Sequence, residues 1–381
     1  MLNYKHINFR KKWLFYFIIA LLIAPIIQQK TNFIKINPLK GSFPSEKILK
    51  FSFKDWFEGA YSANQDKYLN ENFGFRNLFI RLYNQIQYSL FREAKANGVI
   101  IGKDNYLYEE NYILSYLGRD FIGEDKIQDK VQKLKKITDT LKTKNIDLFV
   151  ILAPGKGSFY PEYIPEKYNP NYKTTSNYDV YQKIILQKNI NLLDFYSWFV
   201  NMKNSSEYPL FPKTGIHWSK YGELLVADSI IKYINSKNRQ LLKSKIIIKN
   251  INYSAGVFDT DDDIEQGMNL LFNIKDLEMG YPDFKFEKSN VAGLKVLAVA
   301  DSYYWGLFNS GLSQHAFNNG QFWFYNEGIY PESYNEPLYV SDIELKESIE
   351  SNDIIMLLAT DANLYKFAFG FIDQTYDLYF E

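Results

Sequence analysis

The chain has 381 residues, with 44 basic and 44 acidic side chains and no cysteine. The balanced charge leaves no basic footprint for nucleic acid, and the lack of thiols excludes disulfides, thiolate metal sites, a cysteine nucleophile and lipidation at cysteine. Aromatic residues make up 18% of the sequence, which reads either as aromatic core packing or as a sugar-binding surface.

Lys5, Arg10, Lys11 and Lys12 precede an apolar run from Trp13 to Ile27. A basic flank followed by an apolar core of this length is a signal sequence or a membrane anchor. No small-x-small cleavage site follows; Pro25, Ile26, Ile27 and Gln28 come next. The expectation is an uncleaved signal-anchor with its basic end in the cytoplasm. The domains expected are a cytoplasmic leader over 1–12, an anchor over 13–27, a stalk over 28–55 and one domain over 56–381. That domain would face the periplasm or exterior from a single-pass inner-membrane protein.

From Gly59 to Phe91 the pattern is helical and aromatic, interrupted at Phe73-Gly74-Phe75-Arg76. Asn97 to Tyr108 reads as a hairpin turning at Gly102-Lys103-Asp104-Asn105. Ile127, Val131, Leu134, Ile137 and Leu141 keep helical spacing. Asp147 to Ala153 then runs apolar without alternation, as strands covered on both faces do. Further helices are expected over 178–187 and 219–234, a short strand over Asn191–Asp194, and buried strands at Lys295–Ala300 and Asp353–Ala359. Helices alternating with buried strands define an α/β domain with a mainly parallel sheet.

Ligands of such sheets bind beyond the carboxyl ends of the strands. Pro154-Gly155-Lys156, Asp301-Ser302 and Thr360-Asp361-Ala362-Asn363 all fall there. The chain has three histidines: His6 in the leader, His315 in a polar loop, and His217 in Thr214-Gly215-Ile216-His217-Trp218-Ser219 just before a helix. A serine nucleophile needs an imidazole to take its proton. Ser302 and His217 are therefore the candidate pair for acyl transfer or ester hydrolysis.

Ala300-Asp301-Ser302 resembles the Gly-Asp-Ser element of SGNH hydrolases. Gly215-Ile216-His217-Trp218-Ser219-x-x-Gly222 resembles the Asp-x-His-Trp element of the AlgX/AlgJ family of alginate O-acetylation proteins, in which the histidine element also precedes the serine. The aromatic lead-in from Trp56 to Phe91, the Ile101–Tyr108 hairpin, Ala153–Lys156 and Tyr160-Pro161 fit the same order. The resemblance spans roughly 50–370 and implies an SGNH-like, flavodoxin-like fold, with Ser302 as nucleophile and His217 as base. It also implies a polysaccharide substrate and a membrane-bound O-acyltransferase partner that supplies acetyl groups.

The family's aspartate falls at Gly215, so the orienting acid is missing from its motif. Either another acceptor, a backbone carbonyl or a distant carboxylate, orients His217, or the domain binds polysaccharide without turnover. Aspartate restored at Gly215 would raise activity or leave it unchanged, unless the glycine holds a positive φ. A plain secreted esterase is a third reading.

Each candidate has a plainer role. Ser302 at a strand-to-helix junction would serve as a helix cap, and Asp301 as a structural acceptor. His217 would be a hydrogen-bonded packing residue, and His315 a surface residue. Lys156 either holds a substrate carboxylate or faces solvent. Trp218, Tyr303, Asp361 and Asn363 are supporting or substrate-binding candidates. Asp259-Thr260-Asp261-Asp262-Asp263 invites a calcium loop, but Ile264 and Leu270 stand where its glycine and glutamate belong. That tract is expected to be a solvated acidic turn; no metal and no cofactor is expected.

Overall fold

The computed structural model describes residues 2–41, 47–237, 242, 244–287 and 293–381; the side chains of residues 2–10, including Lys5, His6 and Arg10, and residues 42–46 of the expected stalk lie outside that description. The chain forms two compact units, residues 1–97 with 265–273, and residues 98–264 with 274–381. The first unit thus reaches further than the expected boundary after residue 55.

In the first unit a helix spans Leu2–Thr31. Its segment Lys11–Thr31, 21 residues with a mean hydropathy of 1.6, is long and apolar enough to cross a membrane. Helices Ala60–Asn72 and Arg76–Ile86 meet at Gly74-Phe75, where Phe75 has a φ of 65° and ends the run. The reason residues 56–97 join this unit is polar as well as apolar. Buried Asn84 donates to the Met268 carbonyl at 2.8 Å, and Gln85 Oε1 accepts from the Leu271 and Phe272 amides at 3.2 and 3.0 Å. Asn269 exchanges hydrogen bonds with the Lys40 backbone.

The second unit opens with a hairpin of β1 (Val99–Ile101) and β2 (Leu107–Glu109). Strands β3 (Asp147–Ala153) and β4 (Asn191–Asp194) follow. A second hairpin pairs β5 (Ile246–Ser254) with β6 (Met279–Phe286). Next come β7 (Val296–Ala300), β8 (Phe322–Phe324), β9 (Gly328–Tyr330) and β10 (Ile354–Thr360).

The main sheet has the order β4-β3-β10-β7-β8-β9, parallel except for β9. Its centre is buried on both faces, which explains the unbroken apolar runs: all of β10 and β7 is buried. Alternate residues serve opposite faces. Leu148, Val150 and Leu152 join the cluster made with Ile127, Val131, Leu134, Ile137 and Leu141 of helix Glu124–Thr143. Phe149 points the other way, onto Tyr233 of helix Lys220–Lys237.

Sequence reading misses β5, β6, β8 and β9. Strand β5 is mostly solvent-facing despite its isoleucines, and β6 mixes buried, half-buried and exposed residues, so neither shows a steady apolar alternation. Strands β8 and β9 have three residues each, too few to establish a period.

The chain leaves β3 for one edge of the sheet and β7 for the other, with β10 between them. The carboxyl ends of these three strands therefore lie side by side, at the kind of crossing point where open α/β sheets bind ligands.

Candidate active site

Ser302 follows β7 by one intervening residue, Asp301. Asp301 is fully buried. Its Oδ2 accepts from the Thr360 amide and hydroxyl, both at 2.8 Å, and from Asn363 Nδ2 at 2.9 Å; its Oδ1 accepts from the Tyr303 amide at 3.1 Å. Asp301 thus ties the turn after β7 to the end of β10 and is a structural acceptor. The helix that follows begins at Tyr304, and Ser302 does not cap it with its side chain. The Ser302 hydroxyl lies 3.0 Å from His217 Nε2.

The histidine loop is held at six backbone groups between Lys213 and Ile216. Asp276 accepts from the Lys213 and Thr214 amides at 2.9 and 3.0 Å, and from the Thr214 hydroxyl. Lys156 Nζ donates to the carbonyls of Lys213 and Gly215 at 2.7 and 2.6 Å. The Ile216 amide donates to Asp263 Oδ1 at 2.9 Å, and the Ile216 carbonyl accepts from the Tyr303 hydroxyl at 2.7 Å. Ser219 then caps helix Lys220–Lys237 by accepting from the Gly222 amide at 3.1 Å.

The orienting acid missing at Gly215 comes from 46 residues further on: His217 Nδ1 lies 2.7 Å from Asp263 Oδ2. The two carboxylate oxygens of Asp263 therefore hold the histidine ring and the loop backbone together. Part of the tract expected to be a solvated acidic turn is thus turned inward. Among the described residues no cluster of side chains could hold a metal ion.

Space, not backbone conformation, keeps residue 215 a glycine. Its φ is not in the left-handed region, but a Cβ would stand 2.5 Å from the Thr260 carbonyl oxygen and 2.6 Å from that of Asp261. The expectation that aspartate would be tolerated there is therefore corrected: the turn that brings Asp263 to His217 occupies the space.

Three other expected site residues take other places. Lys156 neither faces solvent nor awaits a ligand: it is fully buried, and burial lowers its pKa to about 7. Trp218 is also fully buried, packed against Tyr303 and Phe199 behind the histidine. Asp361 is buried, accepts from the Ser158 hydroxyl, and has its pKa raised by burial to about 7. Tyr303 acts from beneath, through its bond to the Ile216 carbonyl. His315 is half-buried against Phe286 and far from this chemistry only in the sense that it shares no bond with it.

Ser302, His217 and Asp263 open onto a cavity of about 330 Å³, whose other polar lining is Glu109, Asn111, Tyr325 and Asn363. Of these, sequence reading names Asn363 alone. Burial alone would lower the pKa of His217; the hydrogen bond and charge of Asp263, with Glu223 and Asp301 behind, outweigh it and leave it raised. Glu109 is raised by burial and by the charge of Asp263, against the pull of His217. Burial also raises Tyr325, while its bonds to Ser302 and Asn363 oppose that shift.

A serine bonded to an imidazole that is bonded in turn to a carboxylate is the arrangement that activates a hydroxyl for acyl transfer. Sheet topology and this array together define an SGNH hydrolase-like α/β protein. Residues 99–250 match the family described as the SGNH hydrolase-like domain of acetyltransferase AlgX, and the chain is AlgX/AlgJ-like over that stretch. It is 24% identical over 172 residues to the probable alginate O-acetylase AlgJ of Azotobacter vinelandii, covering 45% of this chain and 42% of that one. To the AlgJ of Pseudomonas fluorescens it is 22% identical over 179 residues, covering 47% of this chain and 44% of that one. The chain thus spans less than half the length of these curated relatives. The solved O-acetyltransferase domain of Pseudomonas putida AlgJ aligns with a TM-score of 0.46 at 15% identity, over 74% of this chain and 99% of that one. Asp263 and Ser302 lie beyond residues 99–250, so their pairing with His217 rests on geometry.

Proposed function

We propose that the protein is an O-acetyltransferase, or an acetylesterase, acting on a cell-envelope or exported polysaccharide. The observation that carries this reading is the continuous array from Ser302 through His217 to Asp263 at a cavity mouth. The AlgJ relatives, described as probable alginate O-acetylases, support acetyl transfer to a polysaccharide; the polymer itself is not carried over to this chain.

In the first half-reaction Ser302 Oγ attacks the carbonyl carbon of an acetyl ester or thioester, and its proton passes to His217 Nε2. The imidazolium is held by Asp263. Collapse of the tetrahedral adduct breaks the bond to the donor's leaving group, which takes that proton. In the second half a sugar hydroxyl attacks the acetyl-serine, gives its proton to His217, and releases Ser302 as the acetyl ester of the sugar forms. Water in place of the sugar gives acetate. The Tyr303 amide is spent on Asp301, so the Tyr325 hydroxyl is the side chain assigned to the oxyanion.

A non-catalytic polysaccharide binder is suggested by the acid absent from position 215 and by the aromatic excess; Asp263 beside His217 speaks against the first of these grounds. The apolar helix Lys11–Thr31 is assigned as a signal-anchor that leaves the second unit on the extracytoplasmic side, where a membrane-bound O-acyltransferase would supply acetyl groups. A neutral fluorophosphonate should label the purified chain at Ser302, and the chain should transfer acetyl from p-nitrophenyl acetate to water or a sugar. Ser302→Ala should abolish both, and His217→Ala should cut both by orders of magnitude. Equal background rates in all three proteins would overturn the reading.

A further inference from the structure

The cavity beside Ser302 contains an unused carboxylate. Glu109 ends β2, on the first hairpin, and stands on the cavity wall with His217 and Asp263. Among the described residues its side chain makes no hydrogen bond or ion pair, and the charges that act on it are those of Asp263 and His217. It is half-buried, so water satisfies only part of it. The triad needs no second acid, since Asp263 already holds His217 Nδ1.

No lining residue of this cavity is Lys or Arg. Lys156, behind the histidine loop, is fully buried and committed to two carbonyls. Lys366 lies over the ring of Tyr325, 4.6 Å from its centroid, and does not form the wall. Asp263 is engaged by His217, so Glu109 is the carboxylate on this wall with no Lys or Arg beside it. Outside the Ser302–His217–Asp263 array, its remaining polar residues, Asn111, Tyr112, Tyr325 and Asn363, are neutral donors and acceptors.

From this we infer that the acceptor is an uncharged sugar, and that Glu109 determines this by accepting its hydroxyls and repelling acidic sugars. The inference rests on the proposed acyl-transfer reading of the same site. A carboxylate acceptor suits sugar hydroxyls, because bonds to an ionised acceptor are the stronger kind. A uronate would bring its own carboxylate against Glu109 in a partly dry pocket, where like charges interact far more strongly than in water. The cavity, about 330 Å³, is at the small end of ligand pockets, which run from about 300 to 1,000 Å³. A penalty there is not relieved by a shift of the sugar to a distant wall.

The test uses the full chain and two matched probes. One is a neutral p-nitrophenyl phosphonate diester; the other carries a carboxylate at the end of its alkyl arm. Each forms a bond from Ser302 Oγ to phosphorus and expels p-nitrophenolate, and each rate is divided by that probe's hydroxide-driven rate. The natural chain should react with the anionic probe about tenfold more slowly or worse. Glu109→Gln should remove most of that ratio, and Glu109→Asp should keep it. Hexose oligomers should protect Ser302 from the neutral probe at concentrations where hexuronate oligomers of the same length do not. Equal rates with the two probes in the natural chain, or protection by hexuronates as good as by hexoses, would overturn the inference while leaving the acyl-transfer reading intact. Absence of any labelling at Ser302 would instead remove the acyl-transfer reading itself.

Discussion

At His217 two effects oppose each other: burial disfavours the imidazolium, and the hydrogen bond and charge of Asp263 favour it more. A histidine whose pKa is raised by folding adds stability that is complete below its unfolded value, about 6.5, and lost as pH rises through the folded value. Catalysis needs the neutral ring, so activity should rise with pH through that raised value. Asp263→Asn should move this acid limb to lower pH and lower kcat by about 10³–10⁴-fold, the scale seen when a triad loses its orienting carboxylate. A pH–rate profile on an acetyl ester checks both; an unmoved limb would show that Asp263 does not govern the histidine. Gly215→Asp, by contrast, forces a side chain against two backbone carbonyls. It should lower stability by about 1–3 kcal/mol and slow turnover, measured by urea unfolding and ester hydrolysis.

At the scale of elements, the loop 213–217 owes its shape to partners from five separate stretches: Leu107 in β2, Lys156 after β3, Asp263, Asp276 before β6, and Tyr303 after β7. Lys156 is the most telling of them. Its folded pKa, about 7, lies below the unfolded lysine value of about 10.4. Between the two, the unfolded chain binds a proton that the folded chain does not, so stability from this group should rise with pH. Lys156→Met leaves two carbonyls without their donor, at a cost of about 1–3 kcal/mol each where no water replaces it. Urea midpoints near pH 7 and near pH 9 should show a gain in the natural chain that the variant lacks. Asp361 has the opposite dependence. Its folded pKa, about 7, lies above the unfolded value of about 3.9, so no penalty exists below the unfolded value and one accrues as pH rises towards 7. Asp361→Asn should therefore flatten the fall in stability between about pH 4 and pH 7.

For the molecule as a whole, the location proposed from the apolar helix Lys11–Thr31 is directly testable. The full chain should sediment with membranes, deletion of residues 1–31 should release it, and protease added to spheroplasts should digest the second unit. Protection of that unit would reverse the proposed topology. The aromatic excess, open at first between core and sugar surface, has a structural use: Tyr108, Tyr181, Tyr303, Tyr304, Trp218 and Trp323 are all fully buried. Only Tyr325 and Tyr112 bring aromatic rings to the cavity.

The elements that carry the site were legible because their signals are local. Unbroken apolar runs marked β3, β7 and β10, helical spacing marked 124–143, and the strand ends placed Ser302, Asn363 and Asp301 at one edge. Such patterns follow from which faces are buried, and sequence records that directly. Asp263 was legible only as an acid in an acidic tract. Nothing in a spacing of 46 residues says that its carboxylate turns towards His217 while Asp259 stays exposed to solvent. Lys156 could not be placed for the same reason: a lysine after a buried strand is ordinarily solvated, and here the histidine loop closes over it with two carbonyls. Apolar runs and helical spacing were enough for a mainly parallel α/β sheet and for naming Ser302 and His217 as candidates. That Asp263 lies against His217 and Glu109 on the cavity wall came only from tertiary packing, because hydrogen bonds between distant loops depend on how the chain packs and leave no periodic trace in its order.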